Sequence, residues 1–176
     1  MAYESVILVD EEDNMIGTME KMAAHRLARL HRAISVFIFN SKGDMLLQKR
    51  AGHKYHSGGE WSNACCSHPR PGERTVDAAI RRIEEEMGMQ CALEHAFSFT
   101  YRAALDNDLY EHEYDHVYIG TTDMVPVPNA QEVEGFVYLS PEEIERDLFQ
   151  NPQLYTPWFK ICFERVMEHF NVKENE

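Results

Sequence analysis

Apolar residues recur at two spacings along this chain, and the changes from one spacing to the other mark its elements. Val76, Ala79, Ile80, Ile83 and Met87 recur every three or four residues, which predicts a helix with one apolar stripe that Gly88 stops. Residues 33–40 (AISVFIFN) are apolar almost throughout and rich in β-branched side chains, the pattern of a buried strand. Ser41, Lys42, Gly43 and Asp44 make a hairpin turn into residues 45–50, whose alternation puts Leu46, Gln48 and Arg50 on one side. Residues 6–9 predict a short strand before an acidic turn at 10–14, and residues 20–30 predict a helix that ends near His31. On that helix Lys21 and His25, four apart, share a face. Residues 96–103 alternate aromatic and polar positions, with Tyr101 on the side of Phe97 and Phe99. In a strand over 109–121, Glu111, Glu113, Asp115 and Val117 point one way and His112, Tyr114, His116 and Tyr118 the other. Residues 133–139 read as a further strand. Ser140 as N-cap, Pro141 and the acidic residues Glu142, Glu143 and Glu145 begin a helix. A second helix over 155–170 is expected to carry Phe159, Ile161, Cys162, Val166 and Phe170 towards the core, leaving 171–176 as a frayed tail.

Length adds the expectation that 1–176 forms a single domain, long enough to bury a core without covalent staples. Of the four cysteines, Cys65 and Cys66 are adjacent and Cys91 and Cys162 stand apart, which is not a disulfide framework. No signal peptide and no long apolar span is evident, so a reducing, cytoplasmic setting is expected, with no membrane partner. With 17 Lys plus Arg against 30 Asp plus Glu, the formal charge of -13 argues against nucleic acid as a partner. A small anionic substrate would need a local basic cluster. Arg50 and Lys54 flank such a place, a loop (GHKYHSGGEW) in which Gly58 and Gly59 permit close backbone approach.

The chemistry concentrates in residues 61–89, WSNACCSHPRPGERTVDAAIRRIEEEMGM, which join a Cys-Cys-x-His-Pro loop to the predicted helix. Its last turn carries Glu84, Glu85 and Glu86 against the helix dipole, at a cost of ~0.3–1 kcal/mol each where exposed. A bound cation would offset that, and so would Arg81 and Arg82. Glu73, Arg81, Glu85, Glu86 and Gly88 resemble a modified Nudix box, in which Ser67 stands at the leading glycine and Arg82 replaces the second residue of the Arg-Glu pair. Exchanging that carboxylate for a guanidinium weakens multi-metal hydrolysis and favours direct contact with phosphate oxygens. Together with Trp61-Ser62-Asn63, Cys66, His68 and Pro69 upstream and Glu111-x-Glu113 downstream, the pattern resembles the type I isopentenyl-diphosphate isomerase family over residues 6–158.

That resemblance implies an α+β Nudix fold, an α/β/α sandwich with a mixed sheet flanked by helices. It implies an Mn²⁺ or Zn²⁺ site at His25, His31, His68, Glu111 and Glu113, where spacing alone makes only His68 suggestive. It further implies Mg²⁺ held by Glu86 and the main-chain carbonyl of Cys66, and a diphosphate shell of Lys21, Arg50, Lys54 and Arg82. Cys66 and Glu113 would work on opposite sides of the hydrocarbon, Glu113 hydrogen-bonded by Tyr101, with the Trp158 ring facing the substrate carbon. Nearby cations are expected to lower the Cys66 pKa. No flavin is needed, and His53, His56, His95, His112, His116 and His169 are expected to be solvated. A Nudix hydrolase of a nucleoside diphosphate derivative and a non-enzymatic metal-binding domain are the competing readings; monomer and homodimer both stay open.

Overall fold

The computed structural model describes residues 4–175, so residue 176 of the expected tail lies outside the described residues. Strand β1 (Ser5–Val9) forms a hairpin with β2 (Met15–Glu20), and α1 (Lys21–Arg26) leads to β3 (His31–Phe39). After β4 (Met45–Arg50), β5 (Trp61–Ser62) and β6 (Cys65–Ser67) come α2 (Thr75–Met87), β7 (Glu94–Ala104), β8 (Tyr110–Thr121), β9 (Val133–Leu139), α3 (Pro141–Gln150) and α4 (Pro157–Glu174).

The sheet is mixed. β3 pairs in parallel with β8, from His31 opposite Glu113 to Phe39 opposite Thr121, and antiparallel with β6. β7 pairs antiparallel with β8, and β9 with β4. Both faces of β3 are covered, which is why its sequence is apolar almost throughout. Ile34, Val36 and Ile38 face Ala78, Ala79, Ile83 and Met87 of α2, while Phe37 and Phe39 face Ile144 of α3 and Phe159, Phe163 and Phe170 of α4. The result is the three-layer arrangement expected from the sequence.

Several boundaries differ from expectation. The helix expected over 20–30 is only α1. Residues 15–20 instead extend the sheet by pairing with β1, and Ala28 turns left-handed at φ 50°. This frees His31 to open β3. Ile80 is exposed because the buried seam of α2 runs through Ala78, Ala79, Ile83 and Met87, which turns position 80 away from the sheet. Ile161 is exposed as well, since the buried face of α4 runs through Phe159, Cys162, Phe163, Val166, Met167 and Phe170. α4 continues to Glu174, through most of the stretch expected to fray. All four cysteines are free, and no described helix is long and apolar enough to cross a membrane.

Candidate active site

The parallel register that sets His31 beside Glu113 brings the start of β3 to the middle of β8. β6 pairs with β3 so that the chain leaves the sheet at Ser67 and delivers His68 to the same place, and α1 delivers His25. Each of two rings is fixed through its far nitrogen: His25 Nδ1 lies 2.7 Å from the Lys21 carbonyl and His31 Nδ1 2.8 Å from the Arg29 carbonyl. A carbonyl only accepts, so each Nδ1 carries a proton, and in the neutral ring each Nε2 presents a lone pair inwards. Against burial, Glu111 raises the His25 pKa, so a cation bound there would displace a proton from that ring.

Those lone pairs converge. His31 Nε2 lies 3.3 Å from His68 Nε2, and His68 Nε2 lies 3.0 Å from Glu113 Oε2. His25 Nε2 lies 3.3 Å from Glu111 Oε2, and donor atoms of His25, His31, His68 and Glu111 all fall within 4.8 Å of one another. Burial pushes His31 down to about 4, and burial with His31 and His25 beside it holds His68 well below its usual range, so both rings stay neutral. Burial opposes the Glu111 carboxylate, but the imidazoles of His25 and His56 outweigh it and hold its pKa well below the usual range. Glu113 goes the other way, raised by burial and by Glu111, and so retains a proton. His25 Nε2 and Glu111 Oε2 are buried without a hydrogen-bond partner. Neutral imidazoles and carboxylates with orphaned atoms at this spacing fit a divalent cation.

Beside this cluster lies a cavity of about 20 Å³ lined by Cys66, Glu113, Tyr101, Trp158, Ser35 and His56 among others. It has room for about one water, so a larger occupant has to open it. Tyr101 donates its hydroxyl to Glu113 Oε1. Cys66 Sγ donates to Asn63 Oδ1 at 3.1 Å, and Asn63 also accepts the Ser62 hydroxyl at 3.0 Å. Ser62 in turn accepts the Trp158 indole N–H at 3.0 Å, so one chain of hydrogen bonds ties the ring to the thiol. The Arg50 guanidinium sits 5.2 Å over that ring.

The expected lowering of the Cys66 pKa is not found. Burial and the neighbouring Asp115 push the thiol up to about 12, outweighing Ser35, Asn63 and Arg50. Asp115 is itself raised to about 7 by burial, although it accepts the Ser35 hydroxyl at 2.6 Å. Lys21 and Lys54 do not help because each is committed to a carboxylate, Glu4 and Glu132 respectively.

A second cavity, of about 100 Å³, adjoins the first through Cys66, His68 and Arg50, and brings Lys21, Arg50, Lys54 and Arg82 together with Glu86. Arg82 spans Glu85 and Glu86, while Arg81 makes a two-pronged pair with Glu73 at 2.7 and 2.9 Å. Glu86 is buried, and its second oxygen accepts Gln48 Nε2 at 2.9 Å. The helix end is thus compensated by arginines, and Glu86 lines the cavity together with Glu4 and Glu132.

His56 corrects the expectation of solvation: it is 3% exposed, with Nε2 2.9 Å from Glu111 Oε1. His112, His116 and His169 are half-buried, His116 bonded to Asp13 at 2.9 Å, and only His53 and His95 are exposed. Ser35, Asn63, Asp115 and His56 were not singled out from the sequence. Asn63 lies inside the Trp-Ser-Asn motif and Asp115 continues the acidic alternation, but no local signal marks Ser35 or His56.

The NUDIX domain family matches residues 29–159, which defines the class of protein. The fold agrees: a protein of Deinococcus radiodurans superposes with a TM-score of 0.71 at 22% identity, covering 84% of this chain and 90% of its own. The MutT protein of Methanosarcina mazei superposes at 0.66 and 19%, covering 84% and 96%. Within that class, the isopentenyl-diphosphate Delta-isomerase of Pectobacterium atrosepticum is 51% identical over 176 residues, 100% of this chain and 98% of that protein. Isopentenyl-diphosphate Delta-isomerase 1 of Aromatoleum aromaticum is 52% identical over 164 residues, 93% of each. The chain belongs to the isopentenyl-diphosphate Delta-isomerase family of Nudix-domain proteins.

Proposed function

We propose that this chain, acting as one domain in the cytoplasm, interconverts isopentenyl and dimethylallyl diphosphate. The observation that carries the reading is that Cys66 and Glu113 line one small cavity beside a second one rich in cations. An unactivated alkene is a poor base, so the double bond moves only if one group delivers a proton to the terminal carbon and another removes one from C2. Glu113, in its protonated form and hydrogen-bonded by Tyr101, delivers its proton to the terminal carbon and is left a carboxylate; Cys66, as thiolate on the other side of the hydrocarbon, takes the proton from C2 and is left a thiol. The raised thiol pKa describes the substrate-free site, and it also equips Cys66 to donate in the reverse direction. The intermediate is a tertiary carbocation with no hydrogen-bonding capacity, which the Trp158 ring stabilises by ~2 kcal/mol or more when desolvated.

Lys21, Arg50, Lys54 and Arg82 bind the diphosphate, exchanging their carboxylate partners for phosphate oxygens. His25, His31, His68, Glu111 and Glu113 would hold Mn²⁺ or Zn²⁺, while Glu86 and the Cys66 carbonyl would hold Mg²⁺ against the diphosphate. Bound there, the cations supply positive charge that orients Glu113 and offsets the substrate's anionic end. No electron is transferred, so no flavin is needed. The four free cysteines suit a reducing compartment.

The purified protein, given isopentenyl diphosphate, Mg²⁺ and Mn²⁺, should yield dimethylallyl diphosphate. Cys66→Ala and Glu113→Gln should each abolish turnover while keeping the fold. Near-normal turnover by Cys66→Ala would falsify the two-sided mechanism, and phosphate release from nucleotides without isomerisation would favour a hydrolase.

A further inference from the structure

The loop between β4 and β5 buries an imidazole for which the reaction above has no use. His56 meets three parts of the site at once. Its Nε2 lies 2.9 Å from Glu111 Oε1, its ring stands edge-on to the Trp158 indole with centroids 5.6 Å apart, and its carbonyl accepts from Arg50 at 3.2 Å. Tyr55, perpendicular to it at 4.3 Å, closes another side.

The two oxygens of Glu111 are divided between two imidazoles. Oε2 faces His25 Nε2 at 3.3 Å and, through it, the cluster of His31 and His68. Oε1 faces His56. His25 Nε2, His56 Nε2 and Glu111 Oε2 are all buried with no aligned hydrogen bond, so two orphaned imidazole nitrogens face a carboxylate that has an orphaned oxygen of its own. The Ser57 hydroxyl, 3.2 Å from His56 Nδ1, can donate to that nitrogen. The proton then sits on Nε2, the nitrogen that faces Glu111. At 2.9 Å from Oε1, that N–H needs only a ring rotation to line up with it. A carboxylate with one oxygen so held has one oxygen left to offer, and outer contacts of this kind orient metal ligands.

We propose that His56 is a positioning residue of the metal site: its Nε2–H holds Glu111 Oε1, so that Glu111 offers only Oε2 to a divalent cation at His25, His31 and His68. The same ring buttresses Trp158, which couples the metal carboxylate to the aromatic wall of the cavity. The inference rests on the ligand set of the proposed function and adds a residue outside it.

Mn²⁺ affinity decides the matter without substrate. The full chain is stripped with chelator and titrated with Mn²⁺ while free Mn²⁺ is read by paramagnetic resonance. Wild type, His56→Ala, His56→Leu, His56→Gln and His53→Ala are compared. Removal of an outer partner typically weakens metal binding about 10–100-fold. His56→Ala and His56→Leu should show that loss, with kcat reduced more than KM. His56→Gln, which keeps an N–H donor, should recover most of both, and His53→Ala, exposed on the same loop, should match wild type. If one apolar variant fails to fold, the other is set against His56→Gln; if both fail, His56→Gln is set against wild type. Apolar variants that bind Mn²⁺ as tightly as wild type overturn the proposal. So does a His56→Gln variant as weak as His56→Leu where either folds, or 10–100-fold weaker than wild type, because the ring would then matter by shape alone. An additional imidazole in the Mn²⁺ shell of wild type, lost in His56→Gln, would overturn positioning in favour of direct ligation. A wild type that binds neither Mn²⁺ nor Zn²⁺ defeats the ligand set itself, and His56's role with it.

Discussion

The thiol and the buried carboxylate beside it set each other's chemistry. Asp115 reaches Cys66 only through Ser35, whose hydroxyl lies 2.6 Å from the acid and 3.6 Å from the sulfur, and its charge raises the thiol pKa. Asp115→Asn removes that charge at nearly constant shape. Above about pH 8, where Asp115 is ionised, the fraction of thiolate should rise, and alkylation of Cys66 by iodoacetamide should speed up several-fold. An unchanged rate would mean that burial alone controls the thiol. The same substitution has a stability consequence whose sign is fixed. A carboxyl raised from 3.8 to about 7 keeps its proton in the folded chain where the unfolded chain has lost it. Stability is therefore lost as pH rises through that window. Asp115→Asn escapes the loss, so its advantage in denaturant should grow from pH 4 to 7, by at most about 4 kcal/mol, and level off above. Cys66, His68 and Glu113 were legible in the sequence because they sit in a motif. Ser35 and His56 were not, because one is an ordinary small residue in an apolar strand, and the other depends on Glu111, far along the chain. A pKa depends on burial and on such distant partners, which is why the expected lowering at Cys66 failed.

α2 shows what a helix contributes beyond its side chains. It ends at Gly88 with φ 61°, and a Cβ there would stand 2.7 Å from the Val127 carbonyl oxygen. That backbone also takes part in holding the helix end, since Val127 N–H donates to the Met87 carbonyl and Asn129 N–H to that of Glu86 at 2.8 Å each. Gly88→Ala combines a left-handed backbone with a clash against main chain. It should cost about 1–3 kcal/mol of stability by urea unfolding. Because Glu86 and Arg82 ride on the last turn, KM for isopentenyl diphosphate should rise in the folded fraction as well. A neutral result would mean that the 127–129 segment yields freely and does not fix the helix end. Elements with strong periodicity or local punctuation were readable: β3, β4, α2 with its glycine stop, and α3, where Ser140 and Glu143 cap each other. β2 was not, because Met15–Glu20 is largely exposed and has no apolar alternation; its strand conformation comes from pairing with β1. α1 was overextended for the same reason, since what ends it is the left-handed turn at Ala28 and the sheet that claims His31.

At the scale of the whole molecule the charge balance opposes the substrate, and only the second cavity reverses it. The protein carries a formal charge of -13, and isopentenyl diphosphate is an anion as well. Even within that cavity, Lys21, Arg50, Lys54 and Arg82 are nearly balanced by Glu4, Glu86 and Glu132. The attraction is therefore short-ranged, and it depends on carboxylates giving way or being offset by a metal cation. The repulsion is long-ranged, and salt separates the two. At about 10 mM ionic strength the Debye length is ~30 Å and the approaching substrate meets the net field of the molecule; at about 100 mM it is ~10 Å and only the nearby cations are felt. Raising salt across that range at fixed free Mg²⁺ should thus increase kcat/KM, the reverse of ordinary electrostatic steering of a ligand to an oppositely charged protein. Glu132→Gln, which frees Lys54 and removes one repulsive charge, should raise kcat/KM most at the low-salt end and flatten the curve. A steady fall of kcat/KM with salt in the wild type would show that the four cations dominate the field well beyond the cavity, against the near-balance of charge within it.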